Sequence, residues 1–167
     1  MAELVGIVLV SHSERLACGL RDVLEQVGTT EVPVEVAGGT DDGRIGTSYD
    51  RIAAAIDRAE RGAGVLVLTD LGSAVLTTRT VLADRATPPS DSSVGPSGGV
   101  LGGSSGGVLG GSSGGVLGGA SGGSPGVVLV DAPFVEGAVA AAVLAATGAD
   151  LPTCAAAAME ARDATKL

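Results

Sequence analysis

The sequence predicts an α/β fold in which a mostly parallel sheet of four or five strands carries helices on both faces. Short apolar runs alternate with helical patterns along the whole chain, which is typical of this class. Apolar residues make up 45% of the composition and aromatic residues only 1%. A core of Val, Leu, Ile and Ala suits a parallel sheet covered by helices. The length of 167 residues fits a single domain over residues 1–167.

Four continuous apolar runs predict strands that are buried on both faces. They lie at residues 5–10, 32–36, 65–68 and 127–130. Pro33 near the start of the second run predicts a strand start or an edge position, because proline cannot donate a hydrogen bond within a sheet.

The first two helices are predicted from capping signals and apolar spacing. Ser11 and Glu14 form an S-x-x-E capping box, and the helix runs to about Val27, with Gly28 as its terminator. Its apolar stripe consists of Leu16, Leu20, Val23, Leu24 and Val27. Thr47, with Asp50 three residues on, caps the second helix. The inner face of that helix consists of Ile52, Ala53, Ile56 and Ala59.

Three further helices follow later in the chain. One starts at Gly72 and reaches about Arg85, and a short last helix covers residues 153–162. Between them, a fourth helix ends at residues 147–148. It carries one apolar face that consists of Val135, Val139, Val143 and Ala146.

Residues 87–126 interrupt this pattern with a composition of Gly, Ser and Pro. The motif GGVLGGSS begins at Gly98 and Gly106, and GGVLGGAS begins at Gly114. Glycine-rich chain loses much conformational entropy on ordering. We therefore expect a flexible insertion between the third helix and the fourth strand rather than a regular glycine-rich structure.

The charge, the apolar runs and the cysteine content limit the possible partners and location of the protein. A net charge of −9 argues against nucleic acid and anionic membranes as partners, because both require a basic surface. No apolar run reaches the roughly 20 residues of a membrane helix, and no signal peptide is recognisable. Cys18 and Cys154 lie far apart and form no CxxC motif. We expect a cytoplasmic protein.

The candidate chemistry lies where the predicted strands end, since parallel α/β sheets bind ligands at the carboxyl ends of their strands. His12 follows the first strand and is the only histidine in the chain, so a histidine-based metal site is not expected. Asp70 follows the third strand. A carboxylate that holds the proton on Nδ1 leaves Nε2 free to act as a nucleophile. The sequence thus predicts His12 as the catalytic nucleophile, oriented by Asp70.

Further residues at the same edge could bind a transferred phosphoryl group. They are Ser11, Ser13, Gly72 and Ser73, at the starts of the first and third helices, where free N–H groups favour anions. Simpler roles stay open for several of these residues. His12 can be a surface or capping residue, Asp70 a helix N-cap, and the serines helix caps.

Several segments around these residues resemble one known family. Residues 8–17 (VLVSHSERLA), 37–42 with 45–48, 69–74 (TDLGSA), 131–137 and 146–150 resemble the phosphotransferase subunits of phosphoenolpyruvate-dependent dihydroxyacetone kinases, the DhaM family, whose fold is that of mannose-type IIA domains. The likeness spans residues 3–86 and 127–151. The glycine-rich insertion is not part of that family's pattern.

The resemblance implies a function and a set of partners. It implies that His12 is phosphorylated, that Asp70 is its hydrogen-bond partner, and that the phosphoryl donor is the phosphocarrier protein HPr. The implied acceptor is ADP bound on the DhaL subunit, which serves the dihydroxyacetone-binding DhaK subunit. The resemblance implies a homodimer and no cofactor or metal on this chain.

Three other functions compete with this one. The same chemistry can serve a mannose-type sugar phosphotransferase IIA component. A phosphorylation-dependent regulatory module would bind a partner without catalysis. A receiver-like domain would use Asp70 as the acceptor, but it would need an acidic pair where Ser11 and His12 stand.

Overall fold

The computed structural model describes residues 3–27, 30–86 and 126–164. Within these ranges the fold is the predicted α/β arrangement with a four-stranded parallel sheet. The strands are β1 (Gly6–Ser11), β2 (Val34–Gly38), β3 (Val65–Thr69) and β4 (Val127–Leu129). The strand order is β2-β1-β3-β4. The second strand lies two residues later in the chain than the apolar run predicts.

In the described residues five α-helices cover the sheet, and helices on both faces are confirmed. They are α1 (Glu14–Gln26), α2 (Tyr49–Ala59), α3 (Gly72–Ala86), α4 (Phe134–Ala146) and α5 (Leu151–Glu160), followed by a 3-10 turn at Ala161–Asp163. The helices α1, α4 and α5 share one apolar cluster with the sheet, and α2 and α3 share the other. Gly28 and residues 87–125 of the predicted insertion lie outside the described residues.

The central strand β1 shows why its apolar run is continuous. Ile7 and Leu9 belong to the cluster beneath α1, α4 and α5. Val8 and Val10 alternate with them and belong to the cluster beneath α2 and α3. All four side chains are fully buried. Because successive strand residues point to opposite faces, burial on both faces requires apolar residues at every position.

Two predicted helix caps are wrong by one or two residues. The N-cap of α1 is Ser13, whose hydroxyl accepts a hydrogen bond from the backbone N–H of Leu16. Ser11 belongs to β1 and lies too early in the chain to cap the helix. The N-cap of α2 is Ser48. Thr47 forms a parallel bridge with Gly39, so it is still in extended chain that follows the sheet.

The second half of the chain differs from the sequence prediction in the face of α4. Val135 and Val143 are 45% and 44% exposed, so the valine face is not the inner one. The buried positions are Gly137, Ala138, Ala141, Ala142 and Ala145. This small-residue face permits close packing against α5, which starts at Leu151 because Asp150 caps it.

The topology brings the end of β1 next to the end of β3. The chain leaves β1 for β2 on one side and then returns to β3 on the other, which makes β1/β3 the switch point where α/β sheets bind ligands. Gly38 lets β2 approach the start of α1, since a Cβ atom there would lie 2.4 Å from the Cα of Glu14. In the described part of the chain, no helix combines the length and apolar character needed to cross a membrane.

Candidate active site

The side chains of His12 and Asp70 meet at the switch point of the sheet. Nδ1 of His12 lies 2.9 Å from Oδ1 of Asp70. The two side chains are 19% and 10% exposed, so the pair lies at the surface but is largely shielded from water. The backbone N–H of Asp70 donates to the carbonyl oxygen of Val10, which fixes the chain after β3 against β1. The strand ends therefore hold this pair together, as the sequence predicted.

The carboxylate of Asp70 accepts hydrogen bonds on both oxygens. Oδ2 accepts from the backbone N–H of His12 and from the hydroxyl of Ser11, each at 2.9 Å. Burial is the largest single influence and raises the pKa of Asp70, but the hydrogen bonds from His12 and Ser11 together outweigh it and hold the pKa below its ordinary value. Asp70 is therefore ionised at neutral pH.

An ionised carboxylate only accepts hydrogen bonds, so the contact with Asp70 places a proton on Nδ1 of His12. In a neutral ring, Nε2 then carries a free lone pair. Nε2 lies 2.6 Å from Oγ of Ser73 in the first turn of α3. The hydroxyl of Ser73 donates to this lone pair, and the Ser73 side chain is exposed. The nitrogen that can act as a nucleophile therefore lies on the accessible side of the ring.

The other predicted residues occupy different places around this pair. Ser11 is fully buried, and its hydroxyl donates to Asp70 rather than reaching the surface. Ser13 is partly exposed and caps α1. Gly72 is the first residue of α3, and a Cβ atom there would meet nothing within 4 Å. Ser73 is the one serine of the predicted set that contacts the imidazole ring.

Two supporting residues were not singled out as site residues from the sequence. The backbone N–H of Gly46, in the loop before α2, donates to the carbonyl oxygen of His12 at 3.0 Å. Gly46 has a φ of 149°, and a Cβ atom there would lie 2.6 Å from Cγ2 of Thr40. Thr77 donates to the carbonyl oxygen of Ser73. The sequence signal that could identify Gly46 is its place in the loop after β2, where glycine also occurs at positions 39 and 43.

The arrangement is suited to transfer of an anionic group to nitrogen. His12 lies next to Ser13, the N-cap of α1, and Ser73 lies in the first turn of α3. Helix N-termini offer free N–H groups and a favourable dipole for anions. In residues 3–27, 30–86 and 126–164, no three His, Cys, Asp or Glu side chains are grouped so as to hold a metal ion.

Comparison with known proteins agrees with the resemblance predicted from the sequence. The chain is 42% identical over 81 residues to the phosphoryl donor subunit DhaM of the PEP-dependent dihydroxyacetone kinase 1 of Listeria innocua; the match covers 48% of this chain and 64% of that protein. It is 42% identical over 69 residues to the phosphotransferase subunit DhaM of the PTS-dependent dihydroxyacetone kinase of Lactococcus lactis, covering 41% of this chain and 54% of that protein. The matches thus span less than two thirds of these relatives.

A solved structure extends the likeness to the whole fold. The protein of unknown function EF1359, which has a crystal structure, is 29% identical in sequence to this chain. The match covers 92% of each chain, and the two structures superimpose with a TM-score of 0.62. The sequence model of the EIIA-man family, described as the PTS system fructose IIA component, matches residues 6–91. This range contains β1 to α3 and both members of the His12–Asp70 pair. Because it includes more than half of the chain, the protein belongs to the EIIA-man family.

Proposed function

We propose that this chain is a cytoplasmic phosphohistidine carrier of a dihydroxyacetone kinase system, a subunit of a phosphoenolpyruvate–glycerone phosphotransferase. His12 accepts a phosphoryl group on Nε2 and passes it on. The observation that carries the proposal is the 2.9 Å contact between Nδ1 of His12 and Asp70. This contact leaves Nε2, on the accessible side of the ring, as the nucleophilic nitrogen.

The first transfer needs only a nucleophile, an orienting acid and charge stabilisation. The lone pair of Nε2 forms a bond to phosphorus while the bond between phosphorus and the donor breaks, and the donor keeps that electron pair. The ring retains its proton on Nδ1 and becomes positively charged. The carboxylate of Asp70, hydrogen-bonded to that N–H, balances this charge. Ser73 releases Nε2 and donates its hydroxyl hydrogen to a phosphoryl oxygen, and in our proposal Ser13 and the N–H groups near Gly72 supply further hydrogen bonds.

The second transfer reverses the first. An oxygen of the terminal phosphate of ADP attacks phosphorus, the N–P bond breaks, and its electron pair returns to Nε2. The names of the DhaM relatives as phosphoryl donor subunits support this direction. In our proposal the donor is HPr and the acceptor is ADP on DhaL, which serves DhaK. The carrier acts as a homodimer and needs no cofactor of its own.

A second candidate keeps the chemistry and changes the pathway. The matching family model is described as a fructose IIA component, which favours a mannose-type sugar phosphotransferase system as the alternative acceptor. In that case, the phosphoryl group would leave His12 for a sugar permease component rather than for ADP.

A labelling experiment tests the proposal and separates the alternatives. The protein is incubated with ³²P-phosphoenolpyruvate, HPr and enzyme I, the protein that phosphorylates HPr from phosphoenolpyruvate. We expect an acid-labile, alkali-stable label that is absent from His12→Ala. An acid-stable, base-labile label that is lost in Asp70→Ala would instead indicate a receiver domain. A regulatory module that catalyses nothing would pass no label on to any acceptor.

The pathway is tested by adding acceptors to the labelled protein. Transfer to ADP on DhaL supports the dihydroxyacetone kinase assignment. Retention of the label with DhaL–ADP, together with its loss to a mannose-type sugar permease component, would overturn that assignment and favour the second candidate.

A further inference from the structure

Ser11 lies at the centre of the hydrogen bonds that join the two halves of the site. Its side chain is fully buried at the end of β1. Its hydroxyl donates to Oδ2 of Asp70 at 2.9 Å and accepts from the backbone N–H of Ser13 at 3.1 Å. One oxygen atom therefore links the acid after β3 to the cap of α1.

We infer that Ser11 is a positioning residue that acts on His12 through Asp70. The terminal torsion of an aspartate is broad and roughly two-fold, so the carboxylate needs partners to select one orientation. The hydroxyl of Ser11 and the N–H of His12 both bind Oδ2, which turns Oδ1 toward Nδ1. The orientation of this carboxylate decides which ring nitrogen carries the proton.

This role differs from the phosphoryl contact expected from the sequence. A serine hydroxyl has one proton to donate, and in Ser11 that proton is committed to Asp70. The side chain is also closed off from the surface. Ser11 can therefore influence phosphoryl transfer without touching the transferred group.

The second bond of the hydroxyl strengthens the first. The backbone N–H of Ser13 donates to the hydroxyl of Ser11, which in turn donates to Asp70. Hydrogen bonds arranged in series polarise one another. The backbone at the start of α1, which also carries His12, is thereby held in register with the carboxylate. A shift of Asp70 relative to His12 would break the hydrogen bonds that Oδ2 accepts from Ser11 and from the N–H of His12.

The inference is tested by measuring which ring nitrogen of His12, the single histidine in the chain, carries the proton. Histidine is labelled with ¹⁵N, and NMR reports both the tautomer and the exchange of the Nδ1 proton with water. We expect the Nδ1–H tautomer to predominate in the native protein. In Ser11→Ala, we expect a mixture of tautomers and exchange that is faster by about tenfold or more, the size of effect that loss of one hydrogen bond to a charged group produces.

Ser48 supplies a matched control. Its hydroxyl donates to Asp41 at 2.7 Å and accepts from the N–H of Arg51 at 3.2 Å, so it repeats the arrangement of Ser11 at the start of α2. Ser48 is also buried, but its aspartate makes no hydrogen bond to His12 among the described contacts. Ser48→Ala should lower stability and leave the tautomer and the exchange rate unchanged.

Conservative variants separate positioning from packing. Ser11→Thr keeps the hydroxyl and should restore the native tautomer, whereas Ser11→Cys keeps a side chain of similar size with a weak donor and should behave like Ser11→Ala. A native tautomer and exchange rate in folded Ser11→Ala would overturn the inference. If Ser11→Ala does not fold, Ser11→Cys decides in the same way, and failure of both to fold would assign Ser11 to the fold alone.

The effect of Ser11 on phosphoryl transfer rests on the proposed function, but the NMR measurement of the His12 tautomer does not. A native protein that takes up no phosphoryl group would remove the proposed function and leave the tautomer result standing. Conversely, normal labelling of the native protein with an unaltered imidazole in Ser11→Ala would remove only the inference about Ser11.

Discussion

The hydroxyl of Ser73 lies 2.6 Å from Nε2 of His12, the ring nitrogen that Asp70 does not bind. In the resting protein, this hydroxyl donates to the lone pair that must attack phosphorus. Ser73 must therefore release Nε2 as the phosphoryl group arrives, and its donor is then available for a phosphoryl oxygen. The same residue both covers the nucleophile and lies next to the incoming anion.

Replacement of Ser73 measures the balance of these two effects. Ser73→Ala should slow phosphorylation of His12 by about three- to tenfold. The hydrogen bond to an anionic phosphoryl oxygen, roughly 1.5–3 kcal/mol, is partly offset by the bond to Nε2 that the native protein gives up, roughly 0.5–1.5 kcal/mol. The measurement is the initial rate of label uptake from phospho-HPr. Thr80→Ala is the control, because Thr80 is exposed on the same helix and bonds only the carbonyl oxygen of Leu76 among the described contacts. A rate above that of the native protein would mean that covering Nε2 is the dominant effect.

Replacement of Asp70 removes the partner of Nδ1. Asp70→Ala should slow phosphorylation by about 100-fold or more, because the ring loses both its tautomer restraint and its balancing charge. The domain should remain folded, as judged by circular dichroism, since the sheet and both apolar clusters do not depend on this carboxylate. Asp41→Ala is a control at an aspartate that accepts from Ser48 instead. Unchanged kinetics in Asp70→Ala would remove Asp70 from the mechanism.

The same carboxylate gives stability a defined dependence on pH. Burial raises the pKa of Asp70, but hydrogen bonds from His12 and Ser11 lower it more, so the net pKa is below the ordinary value of about 3.9. A carboxyl group whose pKa is lower in the folded state stabilises that state at pH values above its unfolded-state pKa. This contribution is lost as the pH falls through the folded-state pKa. The difference in free energy of unfolding between the native protein and Asp70→Asn should therefore shrink between pH 5 and pH 3.

Urea unfolding of both proteins over this range checks the prediction. Asp42 and Asp150 also have lowered pKa values, through hydrogen bonds with Arg44 and Thr153 respectively. They are present in both proteins, so their contributions cancel in the difference. A difference that stays constant or grows toward pH 3 would contradict the assignment of the lowered pKa to Asp70.

The parts of this fold that the sequence predicts are those with one strong physical cause. Burial on both faces makes the β1 run continuous, and parallel strands place their carboxyl ends at one edge. The meeting of His12 with Asp70 follows from these two facts together with the strand order, which places β1 next to β3. The position of the first helix cap did not follow, because Ser11 and Ser13 are both residue types that favour N-caps. Their backbone conformations decide between them, and these depend on where β1 ends.

The buried face of α4 does not follow from the sequence, for a different reason. Its sequence is apolar almost all round, so spacing alone cannot distinguish the inner face. The apolar face indicated by the sequence contains Val135 and Val143, which are exposed, whereas close packing against α5 selects alanine and glycine for the buried face. The role of Ser11 was equally hidden, since nothing in its local sequence indicates a hydrogen bond to a residue 59 positions away.

Deletion of the glycine-rich segment tests whether phosphoryl transfer depends on it. Every described contact of the His12 site comes from residues 10–77, which precede the segment. A variant that lacks residues 90–125 should therefore take up label from phospho-HPr at the native rate. Loss of uptake in a folded deletion variant would show that the segment takes part in transfer or in partner binding, and would refute a passive insertion.

Two glycines inside helices should respond in opposite directions to the same substitution. A Cβ atom at Gly19, in α1, would meet nothing within 4 Å, and this position is exposed. Gly19→Ala should raise the free energy of unfolding by about 0.5–1 kcal/mol through helix propensity. A Cβ atom at Gly137, in α4, would lie 3.1 Å from both the carbonyl oxygen of Ala158 and the Cβ of Ala132.

Gly137→Ala should therefore destabilise the protein by about 1–3 kcal/mol, because α4 must move away from α5 or from the residues before it. Urea unfolding gives both values, and label uptake should be unaffected in each folded variant, since neither glycine contacts His12. Equal effects of the two substitutions would mean that α4 and α5 pack less closely than the small-residue face implies. The opposite signs are expected because propensity acts alone at Gly19, whereas the space next to Gly137 is already filled.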